Sequence, residues 1–334
     1  MHKKAIKEYA INILLLFMTC ALLLVLCEGI ARLSMNGPPK TDRNLLVVSD
    51  NPVLGFKMQP NFSGAVLGKE VKTNSHGFRD YEFIRERNDA YRVIIIGDSL
   101  TFGYGVYANQ SYPKILERLL QKSGRYEVFN LGVPGYNTVQ EAELLERSVD
   151  YAPDLVVMSF YYNDFDSTLQ GHNTQPGIYE YIFNADVFLY SKSRLYQYLK
   201  FNLRNNLLIA SLFQRASTTK HYENLIKTQS REYMDMRGAI GKIKDISRLS
   251  GIPVVWLMLP QITNAKPYPL VYVYGHVEDV LREEGFKIVN MDEVVQDRNM
   301  SGFRLDTMYD AHPNERYYEL AAENLYREIM NISE

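Results

Sequence analysis

Hydrophobic and polar positions follow a regular pattern from residue 91 onward. Five short apolar segments are each followed by a turn, and they span residues 91–97, 126–130, 154–160, 252–259 and 286–291. Continuous apolar runs of this length are typical of strands buried on both faces. Helical patterns separate them, and a last one spans residues 314–329. This alternation predicts an α/β domain, a doubly wound three-layer αβα fold with a parallel five-stranded sheet of the flavodoxin type.

A long segment, at about 165–250, interrupts this alternation between the third and fourth strands. Its second half, residues 222–251, has the pattern of one long amphipathic helix that ends at a glycine. Its first half is rich in aromatic residues interleaved with lysine and arginine. Three interpretations stay open for that half: a lid, a surface resting against a membrane, and extra helices packed on the core.

The N-terminal region contains an apolar run from Ala10 to Cys27. A run of about 18 apolar residues is just long enough to cross a bilayer as a helix. Lys3, Lys4 and Lys7 precede the run, and this bias predicts a cytoplasmic N-terminus. We therefore expect a single-pass anchor in the inner (cytoplasmic) membrane, with the remainder on the periplasmic or extracellular side. A cleaved signal peptide is the alternative. A lipoprotein site at Cys27 is disfavoured, because bulky Leu26 precedes it.

These patterns predict three segments: residues 1–35 as cytoplasmic start and transmembrane anchor, 36–90 as a stalk with a small β-rich part, and 91–334 as the main domain. The net charge is −2, from 37 basic and 39 acidic residues, so nucleic acid is not an expected partner. Both cysteines lie in the apolar run, which leaves no disulfide or cysteine metal site elsewhere. We expect no cofactor, because the sequence shows neither a metal-ligand cluster nor a phosphate-binding glycine loop.

Four short motifs follow the ends of predicted strands. They are GDSLTFGYGV (97–106), NLGVPGYNT (130–138), YYND (161–164) and YDAHPN (309–314). Each has an ordinary structural explanation by itself, such as a serine that caps a helix or a plain strand-to-helix turn. Strand ends of a parallel sheet share one edge, where open α/β folds bind ligands. The sequence therefore predicts that Ser99, Gly135, Asn163 and His312 lie close together.

This order of Ser, Gly, Asn and His resembles the SGNH/GDSL hydrolases, over residues 91–329 and largely without the long insertion. The resemblance implies a serine esterase in which Ser99 is the nucleophile and His312 the general base. It also implies an oxyanion hole formed by the backbone N–H groups of Ser99 and Gly135 and the side-chain amide of Asn163. Gly132 is the alternative to Gly135.

The third member of the implied triad departs from the family pattern. The family has aspartate three residues before the histidine, whereas this chain has Tyr309 there. Asp310 lies two residues before His312, and in an extended segment both side chains would face the same side. Asp310 is the expected orienting acid, and Asp306 is the alternative.

The resemblance leaves the substrate and the acyl acceptor open. We expect an O-acyl ester, in particular an acetyl ester of a cell-envelope or secreted polysaccharide. The sequence does not identify a protein partner. A polysaccharide O-acetyltransferase would use the same residues, and a non-catalytic carbohydrate-binding or scaffold protein is a further alternative. His76 and Arg79, in TNSHGFRD (73–80), either line the site or belong to a surface turn.

Overall fold

A computed structural model of the chain describes residues 2–34, 40–84, 86, 89–165, 189, 192–205, 215–263, 268–295, 298–305 and 312–333. The chain divides into two compact units. The first combines Met1–Pro38 with Thr174–Leu212, and the second combines Pro39–Asn173 with Phe213–Glu334.

The second unit is built on a five-stranded parallel sheet. Its strands are β5 (Tyr91–Ile96), β6 (Tyr126–Asn130), β7 (Leu155–Phe160), β8 (Val254–Met258) and β9 (Lys287–Asn290). They are arranged in the order β6-β5-β7-β8-β9, and every neighbouring pair is parallel. This arrangement confirms the predicted fold class, and the predicted strands agree with the observed ones to within two residues at each end.

Helices cover both faces of this sheet. They are α2 (Ser99–Phe102), α3 (Tyr112–Leu120), α4 (Thr138–Ser148), α6 (Arg215–Lys227), α7 (Arg231–Ser250), α8 (Val271–Glu283), α9 (Met291–Val295) and α10 (Glu315–Ser333). Alternate residues of β5 belong to different cores: Ile94 and Ile96 pack into one, and Val93 and Ile95 into the other. The strand is apolar throughout because both of its faces are covered.

Two antiparallel hairpins precede the sheet along the chain. The first pairs β1 (Leu46–Val48) with β2 (Phe56–Met58), and the second pairs β3 (Ser63–Val66) with β4 (Lys69–Lys72). Both hairpins lie within residues 36–90, the segment for which the sequence predicts a small β-rich part. The hairpins contribute apolar residues such as Met58, Val66 and Val71 to one core of the main unit.

The long helix predicted for residues 222–251 is wrong as a single element, because α6 and α7 are separate helices. Gln229 has a positive φ of 47°, which no α-helical residue can adopt. Ser230 then acts as the N-cap of α7, and its hydroxyl accepts a hydrogen bond from the N–H of Tyr233 at 3.3 Å. The amphipathic pattern continues through residues 228–230, and for this reason the sequence pattern could not reveal the break between the two helices.

The first unit contains α1 (His2–Ser34) and α5 (Arg194–Asn205) among the described residues. Within α1, residues 11–34 are long and apolar enough to cross a membrane. Most of the predicted insertion before α5 lies outside the described residues.

Candidate active site

Ser99 is the first residue of the short helix α2, directly after the carboxyl end of β5. Asp98 caps this helix, and its Oδ1 accepts a hydrogen bond from the N–H of Leu100 at 2.9 Å. Burial raises the pKa of the Asp98 carboxyl. Gly103 ends the helix with a positive φ of 79°, so the helix is limited to a single turn. Ser99 is thus held at the sheet edge, half-buried, by rigid elements on both sides.

His312 lies opposite Ser99, although 213 residues separate the two in sequence. The Ser99 Oγ atom is 3.0 Å from the His312 Nε2 atom and 3.3 Å from the Asp98 Oδ2 atom. A backbone bridge fixes the histidine, because the N–H of Leu305 donates to the His312 carbonyl at 2.8 Å. Asn314 ties the same segment to Arg304 through its side-chain amide. The two side chains therefore lie within hydrogen-bond distance of each other, and the sequence predicted that they lie close together.

The ring of Tyr104 covers one side of the His312 imidazole. The two ring centroids are 4.7 Å apart, and the planes are inclined by 32°. The N–H of Tyr104 donates to the Ser99 carbonyl at 3.0 Å. One loop residue therefore contacts both members of the pair, and its position in the GDSLTFGYGV motif is the only sequence signal for it.

Gly132 and Gly135 have different surroundings. A Cβ atom at Gly132 would lie 2.3 Å from the backbone nitrogen of Phe102 in α2, and the Gly132 N–H already donates to Asn130 Oδ1 at 3.0 Å. Gly135 is exposed and has a positive φ of 85°, and a Cβ atom added to it would meet, among the described residues, only the Phe56 ring, at 3.7 Å. Gly132 lets the chain after β6 approach α2 closely, whereas Gly135 is exposed to solvent.

Asn163 lies in a short 3₁₀ turn, Tyr162–Phe165, just after β7. It is half-buried, and its Oδ1 atom is buried without a hydrogen-bond partner among the described residues. Asp164 caps this turn through its carboxylate, which accepts from the N–H of Tyr161 at 3.0 Å. Asn163 thus follows a strand end at the same sheet edge as Ser99. Asp306 and Asp310, the two candidate orienting acids, lie outside the described residues, so their assignment stays a prediction.

Arg79 is almost completely buried, at 2% exposure, and lines no open site. Its guanidinium donates to the carbonyls of Gly103 at 2.8 Å and Val106 at 2.9 Å, in the loop that follows α2. It also donates to the Glu70 carbonyl in β4 at 2.9 Å. Burial lowers the pKa of Arg79 to about 10, so the side chain remains a cation at neutral pH. It connects the second hairpin to the loop that carries Tyr104.

We expect Arg79→Lys to destabilise the protein by more than about 2 kcal/mol. An ammonium group cannot donate to all the carbonyls that the planar guanidinium reaches, so buried carbonyls are left without a hydrogen-bond donor. The ester-cleaving rate should fall as well, since the loop positions Tyr104. Urea unfolding of the full chain checks the first effect. Arg125→Lys is the matched control, because Arg125 is 74% exposed and pairs only with exposed Asp89 at 3.4 Å. Equal losses in the two variants would contradict the assigned role.

His76 lies in a surface turn and does not reach the site. The Asn74 side chain organises this turn by accepting from the N–H groups of His76 at 3.0 Å and Phe78 at 2.9 Å. The His76 ring contacts Phe83 and Tyr151. The turn interpretation of TNSHGFRD is therefore correct for His76, and Arg79 is a buried structural residue.

Glu141 is a buried acidic residue that the sequence analysis did not single out. It lies in the first turn of α4, is fully buried, and neither of its carboxyl oxygens has a hydrogen-bond partner among the described residues. Burial, together with the nearby Asp98, raises its pKa well above the usual value. The folded chain therefore favours the protonated form of this carboxyl group more than the unfolded chain does.

We expect Glu141→Gln to stabilise the protein increasingly as pH rises from about 5 to 8. The unfolded chain releases this proton near pH 4.5, while the folded chain retains it to higher pH because its pKa is raised, so wild-type stability falls as pH rises between the two pKa values. The neutral glutamine removes this penalty, by at most about 1.4 kcal/mol per pH unit. Unfolding at pH 5 and pH 8 measures the difference, with exposed Glu323→Gln as control. A constant difference between wild type and Glu141→Gln would refute a protonated Glu141.

No metal-binding group is evident in the described part of the chain: no three His, Cys, Asp or Glu side chains there could hold an ion.

Comparison with known proteins gives a family match over most of the second unit. The model of the GDSL-like lipase/acylhydrolase family matches residues 95–320. No curated protein matches the chain. The matched range includes Ser99, Gly135, Asn163 and His312.

Similar solved structures include TesA, with 16% identity and a TM-score of 0.43, covering 71% of this chain and 96% of that chain. The psychrotrophic esterase EstA from Pseudoalteromonas sp. has 13% identity and a TM-score of 0.42, with coverages of 72% and 97%. A member of the lipolytic protein G-D-S-L family from Veillonella parvula DSM 2008 has 15% identity and a TM-score of 0.41, with coverages of 71% and 96%.

Proposed function

Because the chain belongs to the GDSL-like lipase/acylhydrolase family and is an enzyme that acts on ester bonds, we propose that Ser99 and His312 carry out its chemistry. The observation that supports these roles most directly is the 3.0 Å distance between Ser99 Oγ and His312 Nε2. A serine hydroxyl is a weak nucleophile at neutral pH and needs a base within hydrogen-bond reach.

In the proposed reaction, Ser99 Oγ attacks the ester carbonyl carbon while its proton moves to His312 Nε2. The tetrahedral oxyanion is stabilised by the N–H groups of Ser99 and Gly135 and the amide of Asn163, each donor contributing about 3 kcal/mol. The C–O bond to the alcohol breaks, and His312 returns the proton to the departing oxygen. Water then attacks the acyl-serine, His312 again accepts and returns a proton, and the acid is released. Asp310, or alternatively Asp306, orients the imidazole.

We propose an acetyl ester of a cell-envelope or secreted polysaccharide as the substrate. The support is a set of half-buried aromatic residues close to the proposed site residues: Tyr104 packs on His312, Phe56 lies beside Gly135, and Tyr162 precedes Asn163 in the same turn. Aromatic faces with polar edges suit sugar rings. If a sugar hydroxyl replaces water in the second step, the same residues perform acetyl transfer.

We further propose that α1 is an uncleaved inner-membrane anchor with the second unit on the periplasmic or extracellular side. The apolar residues 11–34 and the lysines that precede them support this arrangement.

The test uses the full chain in nanodiscs with a chromogenic acetyl ester, with and without added oligosaccharide acceptors. Acetate release that requires Ser99 and is unaffected by acceptors supports the hydrolase. Acetyl groups that appear on the oligosaccharide, with little acetate released, identify the transferase. If neither reaction nor covalent labelling by a serine-directed probe depends on Ser99, the proposal fails and a carbohydrate-binding role replaces it.

A further inference from the structure

The outer end of α1 differs from the rest of the helix. From Ile11 to Cys27 every residue is exposed, as a lipid-facing helix requires, whereas Glu28, Gly29 and Ala31 are covered. The apolar run from Ala10 to Cys27 is about 27 Å long as a helix, which matches the hydrocarbon core of a bilayer. Glu28 therefore lies where the helix leaves the hydrocarbon.

Glu28 holds the start of α5. Its carboxylate accepts hydrogen bonds from the Ser193 hydroxyl at 2.7 Å and from the N–H groups of Arg194 at 3.0 Å and Leu195 at 2.9 Å. A carboxylate is favourable at a helix N-terminus because it satisfies free N–H groups and complements the helix dipole. Arg32 pairs with Glu28 at 2.7 Å and also donates to the Lys192 carbonyl. With α1 as the proposed anchor, these contacts place the first turn of α5 at the depth of the membrane surface.

The composition of α5 suits that depth. Tyr198 and Leu199 are 48% and 47% exposed, side by side on the described part of the helix. The sequence of α5 contains three basic residues, Arg194, Lys200 and Arg204, and no acidic residue. Aromatic and aliphatic residues combined with basic ones are typical of helices that lie in the headgroup region.

We propose that α5 is an interfacial helix that lies on the phospholipid surface in which α1 is anchored, with Tyr198 and Leu199 inserted between anionic headgroups. The proposal rests on the anchoring part of the proposed function. It commits to the membrane as the occupant because Glu28 joins α5 to the exit of the spanning helix. It also requires an uncleaved α1, since cleavage would remove the residue that caps α5.

Spin labels in the full chain test this arrangement. Cys20→Ala and Cys27→Ala remove the two native thiols, and a label is attached at Leu199→Cys in nanodiscs that contain anionic lipid. Collisions with oxygen, which concentrates in lipid, should exceed those at an exposed aqueous reference, Lys122→Cys. Collisions with a polar nickel complex should be severalfold lower than at the reference. A third label, at Leu23→Cys, reports on the anchor itself.

The outcomes separate the two proposals. If the Leu23 label is in lipid while the Leu199 label behaves like the Lys122 label, the anchor is correct and the interfacial helix is overturned. If the Leu23 label is aqueous, the anchor fails, and the interfacial helix fails with it. Ester cleavage measured on the same samples shows independently whether the chemistry stands.

A variant of Glu28 tests the connection between the helices. Glu28→Ala should raise the mobility and nickel accessibility of the Leu199 label severalfold, because α5 loses its cap and its tie to α1. Glu223→Ala, which removes a carboxylate from an exposed pair with Lys227, is the control and should leave the label unchanged. An unchanged Leu199 label in Glu28→Ala would overturn the role of Glu28.

Discussion

Replacing Ser99 with alanine should lower the ester-cleaving rate by at least about a thousandfold while leaving the fold intact. The hydroxyl is the proposed nucleophile, and in serine hydrolases the loss of either partner removes most of the catalysis. The substitution deletes one oxygen from a half-buried side chain, so the effect on stability should be small. Steady-state hydrolysis of a chromogenic acetyl ester and thermal unfolding measure the two quantities.

His312→Ala should cause a loss of similar size, and the double variant should be little worse than either single one. Residues that act as a unit give non-additive losses, because the second substitution removes a function that is already absent. Ser250→Ala, at an exposed position at the end of α7, is the control and should retain full activity. Additive losses in the double variant, or a normal rate in His312→Ala, would refute the proposed pair.

Gly132→Ala should reduce both stability and activity. The added Cβ would lie 2.3 Å from the Phe102 nitrogen and 2.6 Å from the Thr101 carbonyl carbon, and backbone atoms of α2 cannot rotate away as a side chain can. Relieving such a contact requires a backbone shift, which typically costs about 1–3 kcal/mol. The shift would move Ser99 relative to His312, and a displacement of about 1 Å can lower a rate by roughly a hundredfold. Chemical unfolding and the hydrolysis assay measure both effects.

The control for this substitution is Gly238→Ala in α7. A Cβ at Gly238 meets no atom within 4 Å, and alanine is favoured over glycine in a helix by about 1 kcal/mol. We therefore expect equal or greater stability and an unchanged rate. If Gly132→Ala behaved like Gly238→Ala, the close approach of the chain after β6 to α2 would not be needed to position Ser99.

The sequence by itself determined the fold class, the five strands of the sheet and the meeting of Ser99 with His312. The reason is that buried parallel strands have continuous apolar runs, and their carboxyl ends share one edge of the sheet. Residues 99 and 312 are far apart in sequence, but Ser99 directly follows β5, and His312 lies between β9 and α10. The apolar run at Ala10–Cys27 could also be recognised from the sequence as a candidate membrane-spanning helix, since such a helix is identified by its length and apolar composition.

Only the tertiary structure decided the features that depend on which side chain meets which backbone. Arg79 and Glu141 have ordinary surface-residue types. Arg79 is buried between the second hairpin and the loop that follows α2, and Glu141 is buried because α4 packs against β5 and α7. Gly132 and Gly135 differ in how closely other atoms approach them, and a sequence motif does not contain these distances. The link from Glu28 to α5 joins segments about 165 residues apart. The periodicity of apolar residues indicates which side chains face the core. It does not indicate which residues those side chains contact there.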